Sequence, residues 1–119
     1  MKVVIMILFL VSGLFMASVD AKQPKSTAPY SPEKGVLCDQ YICADSKGIS
    51  SVLTKRYVGA VEAKKLELIG DFDHTAFTFS NGVSCDVSEK LCRQNRYFGA
   101  DGKRSGVVNR HFTKILFGN

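Results

Sequence analysis

The 119-residue sequence predicts a small α+β domain, a small antiparallel β-meander with two or three helices, stapled by two disulfides. Three observations predict it. Cys38, Cys43, Cys85 and Cys92 stand in two close pairs, each spanning a short polar stretch. Thr75-Ala76-Phe77-Thr78-Phe79 alternates in the period of a half-buried strand and runs into the turn residues Ser80-Asn81-Gly82. Ile49, Val52, Leu53, Tyr57, Ala60 and Val61 recur at the spacing of one helix face.

The chain opens with Lys2, an apolar run from Val3 to Phe15 and the small-residue pattern Val19-Asp20-Ala21. That order of charge, apolar core and cleavage residues is the plan of a secretory signal peptide over residues 1–21. The run is too short to span about 30 Å of hydrocarbon as a membrane anchor. Pro24, Pro29 and Pro32, with lysines and serines around them, describe a flexible arm over 22–34, and the single folded domain is expected over 35–119. A chain of this size buries only about 60–65% of its unfolded surface, so covalent staples matter. Export places it where disulfides persist, which excludes a cysteine nucleophile. The spacings C-x4-C and C-x6-C do not match the usual zinc patterns, and no C-x-x-C redox motif occurs.

Val36-Leu37-Cys38 and Tyr41-Ile42-Cys43 read as a first hairpin around a four-residue loop. Asp45 or Ser46 is placed to cap the helix that follows. Gly59 interrupts its pattern, which fits one kinked helix or two short ones. After Phe79 a three-residue Ser80-Asn81-Gly82 loop, with Gly82 left-handed, puts Phe77, Phe79, Val83 and Cys85 on one face; a two-residue Asn-Gly loop would split them. Cys85 and Cys92 then flank a second polar turn, Val87 to Lys90. Four cysteines allow three pairings. Loop entropy alone favours long-range bridges, while hairpin geometry favours Cys38–Cys43 and Cys85–Cys92. A last helix is expected from about Val107 to Phe117, capped by Ser105, with Val108, Phe112, Ile115 and Leu116 as its buried stripe. The sequence displays no internal repeat.

The run from Gly35 to Asp45, Gly48-Ile49-Ser50, Gly70-Asp71-Phe72-Asp73, Phe79-Ser80-Asn81-Gly82 leading to Cys85-Asp86, and Arg96-Tyr97-Phe98-Gly99-Ala100-Asp101-Gly102-Lys103-Arg104-Ser105 resemble the Fels-1 prophage-protein-like family. These are YcgJ-like small exported proteins of enteric bacteria and their relatives. The resemblance covers nearly all of residues 30–119. It implies a periplasmic location and supports the paired cysteine framework, but implies no activity.

The chain carries a net charge of +5. From Asp86 to the end, Lys90, Arg93, Arg96, Lys103, Arg104, Arg110 and Lys114 outweigh Asp86, Glu89 and Asp101. Such a surface suits an anionic envelope component or a protein partner; an exported protein rarely meets nucleic acid. Lys103, Arg104 and Ser105 at an expected helix start form a candidate anion site. Asp71, Asp73 and His74 are the candidates for hydrolytic chemistry or metal ligation. His111 is read as a half-exposed residue of the last helix. Neither a nucleophile elbow nor a zincin or phosphate-loop motif occurs, and no cofactor or metal is expected. The reading is therefore a non-enzymatic binding or protective module with a basic surface, the alternative being a small periplasmic hydrolase.

Overall fold

The computed structural model describes residues 28–119. The expected signal peptide and residues 22–27 of the arm lie outside the described residues. The architecture is α+β: strands β1 (Leu37–Cys38), β2 (Cys43–Asp45) and β3 (Gly48–Ile49), helices α1 (Ser51–Tyr57) and α2 (Ala60–Ile69), strands β4 (Ala76–Thr78), β5 (Ser84–Asp86) and β6 (Leu91–Arg93), then helix α3 (Arg110–Phe117). The strands form two antiparallel sheets of order β1-β2-β3 and β4-β5-β6. Backbone joins them: the Ile49 N–H donates to the His74 carbonyl at 2.9 Å.

Each disulfide closes a hairpin between directly opposed residues, Cys38 with Cys43 and Cys85 with Cys92. The polar stretch inside each hairpin is held by the aspartate that follows the first cysteine. Asp39 Oδ1 accepts from the Tyr41 and Ile42 amides, and Asp86 Oδ1 accepts from the Ser88 amide. A short carboxylate side chain thereby substitutes for backbone partners that a tight loop lacks. The Ser80-Asn81-Gly82 loop takes the three-residue form, with Phe79 N–H donating to the Val83 carbonyl and Gly82 at φ +95°. Phe77, Phe79, Val83 and Cys85 are accordingly all buried, in one cluster with Leu37, Ala44, Cys92 and Leu116.

Several boundaries differ from those the sequence suggests. Asp45 and Ser46 do not cap a helix. They belong to β2 and its turn into β3, and Ser50 caps α1 by accepting the Leu53 amide. Of the two readings open at Gly59, the structure takes the second: it separates two short helices. The last helix starts at Arg110, where Asn109 Oδ1 accepts the Phe112 amide. Ser105 is occupied elsewhere, its N–H donating to the Tyr97 carbonyl. Part of the expected arm is structured: Pro29 is buried, and Tyr30 exchanges two 2.8 Å backbone hydrogen bonds with Cys38.

The two halves repeat one plan, contrary to the expectation from sequence. Tyr30 pairs with Cys38 as Phe77 pairs with Cys85. Ala44 pairs with Ile49 as Arg93 pairs with Val108, one residue past the second cysteine in each case. The next residue caps a helix, Ser50 or Asn109, and its N–H donates to the carbonyl of that second cysteine, Cys43 or Cys92. Four residues into the helix a buried threonine accepts the cysteine's own N–H: Cys43 to Thr54 at 2.9 Å and Cys92 to Thr113 at 2.8 Å. The helices end before Gly59 and at Gly118.

Against this shared frame, two additions stand out. One is α2, which buries Ala63 but exposes Val61, Leu68 and Ile69. The other lies between the paired residues Arg93 and Val108. The first half crosses from Ala44 to Ile49 with residues 45–48, whereas the second half uses the long excursion 94–107.

Candidate functional site

The 94–107 excursion is a hairpin with a defined shape. Phe98 bridges Arg104, the Gly99 amide donates to the Lys103 carbonyl at 2.7 Å, and Asp101 Oδ1 accepts the Lys103 amide. Its base is tied by Gln94 N–H donating to the Val107 carbonyl and by Arg93 Nη1 donating to the Gly106 carbonyl. Satisfied backbone groups hold the loop while Tyr97 and Phe98 stay 62% and 58% exposed. Large apolar rings on an ordered surface loop are a common recognition device, since little conformational freedom is lost on binding.

The expected anion site is not assembled as the sequence suggested. Arg104 points back to the hairpin, donating through Nε and Nη2 to Asp86 Oδ2 at 3.2 and 3.0 Å and lying 4.7 Å from the centre of the Phe98 ring. Burial alone would raise the Asp86 carboxyl, but the Ser88 hydroxyl and amide and the Arg104 guanidinium outweigh it and hold the group below the usual carboxylate range. Arg93 is likewise paired, donating to both oxygens of Glu89, which raises its pKa further. Lys103 is exposed at the tip, and α3 begins at Arg110, so no helix terminus adjoins Lys103 to Ser105. Two cations of the basic third are thus structural, while Lys90, Arg96, Lys103, Arg110 and Lys114 are exposed and without an ion pair among the described residues.

Asp71, Asp73 and His74 are exposed in the connection before β4. Asp73 accepts from the Thr75 hydroxyl and amide, which depresses its pKa and commits it to the turn. The His74 ring stacks on Phe72 at 4.0 Å between centres, and its carbonyl joins the two sheets. His111 is exposed on α3 beside Phe112. No group of three histidine, cysteine or acidic side chains that could hold a metal occurs among the described residues.

A different constellation, which the sequence reading missed, surrounds Asp39. This carboxylate is only 3% exposed. Besides its two turn bonds, its Oδ2 accepts the Ser80 amide at 2.7 Å, and the Ser80 hydroxyl meets Gln40 Oε1 at 3.0 Å. The first hairpin loop is thereby clamped to the β4–β5 turn. An open cleft of about 540 Å³ is lined by Tyr30, Asp39, Gln40, Tyr57 and neighbours. A second, of about 270 Å³, is lined by Ser80, Asn95, Arg96, Tyr97 and neighbours. Tyr57 donates its hydroxyl to Glu33, and that bond, with some desolvation, raises the phenol's pKa. These residues are scattered from Tyr30 to Tyr97, so no local spacing could have announced them.

The sequence profile of the YcgJ protein family matches residues 29–117. A relative in Escherichia coli strain K12, named "Uncharacterized protein YcgJ", is 56% identical over 87 residues, covering 73% of this chain and 71% of its own. No solved structure matches. The matched span contains both disulfide hairpins, the Asp39 clamp and the 94–107 excursion, and on that span the chain belongs to the YcgJ protein family.

Proposed function

We propose that this chain is a non-enzymatic binding module of the bacterial periplasm, exported through a cleaved signal peptide in residues 1–21. It engages an envelope component with the 94–107 excursion and the cations around it. The observation that carries this reading is the contrast between the two halves. Where the first half turns tightly, the second extends an ordered loop that exposes Tyr97 and Phe98 beside Arg96 and Lys103. Surface loops on a rigid frame are where binding residues concentrate. The alternative, a small hydrolase using Asp71, Asp73 and His74, draws no support from Asp73 bonded to Thr75 and His74 stacked on Phe72.

The test uses the full-length precursor expressed in an enteric bacterium. Export predicts a periplasmic product whose measured mass corresponds to a chain starting at Lys22. Cross-linking of that product to isolated envelopes is then compared with a Tyr97→Ser, Phe98→Ser, Lys103→Ala variant. Cross-links that disappear in the variant, and weaken at raised ionic strength, support the reading. Unchanged cross-links, or an unprocessed cytoplasmic product, reject it.

A further inference from the structure

The two clefts beside the Asp39 clamp share a lining chemistry that identifies a ligand class. Tyr30, 49% exposed, and the half-buried Tyr57 border the larger cleft; Tyr97 borders the smaller. Between them stand Gln40, Ser80 and Asn95. Gln40 uses Oε1 on Ser80, and Asn95 uses Oδ1 on the Tyr97 amide. The side-chain NH2 of each amide makes no other hydrogen bond among the described residues. Each amide NH2 carries two donors, and both residues are partly exposed. The clefts adjoin because Ser80, on the edge of the second, is bonded to Asp39 and Gln40 of the first.

From this arrangement we infer that the surface from Tyr30 and Tyr57 across Gln40 and Ser80 to Asn95 and Tyr97 is a glycan-binding groove. The inference rests on the binding-module reading and supplies its ligand. A pyranose ring has a C–H face and a rim of hydroxyls. The face lies on the negative face of an aromatic ring, and the rim needs neutral donors and acceptors at the side. Tyrosine platforms separated by side-chain amides meet both demands. Open, adjoining clefts suit a chain of several sugar rings rather than one enclosed ligand. Arg96, exposed at the edge of the smaller cleft, is positioned for an acidic substituent on the glycan. Val61, Leu68 and Ile69 of α2 offer a more apolar face, but nothing in the structure indicates what covers it.

The protein contains four tyrosines and no tryptophan, so its ultraviolet emission reports on the tyrosines, three of which line the groove. The exported protein is titrated with three hexasaccharides: β-1,4-linked N-acetylglucosamine, α-1,4-linked glucose, and α-1,4-linked galacturonate. Emission and calorimetric heat are recorded together. At least one is expected to bind. Tyr30→Ala and Tyr97→Ala each weaken that binding about tenfold, the loss of one ring contact, while Tyr41→Ala, which lines neither cleft, does not. Arg96→Ala removes any preference for the galacturonate. Absence of a response to all three sugars, or equal affinity in the Tyr30 and Tyr97 variants, overturns the inference. So does an emission change that appears only when residues 22–27 are deleted, which would assign the larger cleft to the chain's own arm. If the sugars fail while the envelope cross-links still depend on the 94–107 excursion, the glycan assignment falls and the binding-module reading stands. If both fail, that reading falls too.

Discussion

Thr113 receives the N–H of Cys92 on its hydroxyl at 2.8 Å and reaches back to the carbonyl of the same cysteine at 3.2 Å. One buried side chain therefore ties the last helix to the strand that carries the second disulfide. Thr54 has the matching role in the first half, accepting from Cys43 while donating to the Ser50 carbonyl at 2.7 Å.

Replacing either threonine with valine keeps the shape and strands a buried N–H. Thr54→Val and Thr113→Val are each expected to lower stability by about 1–3 kcal/mol, and serine in the same place to restore part of it. Urea denaturation of the oxidised protein measures this. The two sites lie in different halves and share no partner, so the double variant should lose roughly the sum.

Gly48 sits at φ +120°, and a Cβ there would lie 2.2 Å from the His74 carbonyl oxygen. That carbonyl accepts the Ile49 amide that joins the two sheets. Gly48→Ala must push the sheets apart as well as strain the backbone, so a loss of about 3 kcal/mol or more is expected. Gly35→Ala meets nothing within 4 Å and bears only the cost of its positive φ, about 1 kcal/mol. Thermal unfolding of the two variants side by side separates steric from conformational cost.

The disulfides join residues 5 and 7 apart in sequence, so each removes only a small loop from the unfolded chain. Replacing either pair with alanine is expected to cost about 2–2.5 kcal/mol. All four cysteines are at most 1% exposed. Reductant without denaturant should therefore open them slowly, and mass spectrometry after alkylation follows the rate.

Asp86 has a depressed pKa in the fold, so its contribution is present above the unfolded carboxylate value and is lost as pH falls through the lower, folded one. Below about pH 4 the stability of the parent should decline faster than that of Asp86→Asn, which lacks this titration. Denaturant midpoints between neutral pH and pH 3 check the sign. A constant gap between the two proteins would show that the Ser88 bonds and the Arg104 pairing together do not favour the charged carboxylate.

Much of the fold was legible because its determinants are local. The cysteine pairs, the alternation at Thr75 to Phe79 and the Ser80-Asn81-Gly82 turn each carry their own geometry. The helix starts were less legible, since Ser46, Ser50, Ser105 and Asn109 are all competent caps and only pairing with the preceding strand selects among them. Strand β3 was missed because Ser46-Lys47 reads equally as a turn or a cap. The repeat was hidden by unequal loops: Cys38 and Cys85, Cys43 and Cys92, and Thr54 and Thr113 are progressively further apart, so no single period aligns them. The candidate site suffered most. Neighbours in sequence such as Lys103 and Arg104 diverge, one to solvent and one to Asp86, while Asp39 and Ser80 meet from opposite halves of the chain.

The placement of residues 94–107 between two already paired positions makes the molecule separable into chassis and attachment. Arg93 and Val108 stand where Ala44 and Ile49 stand, so the attachment is extra length inserted between two positions that residues 45–48 join with a short turn in the other half.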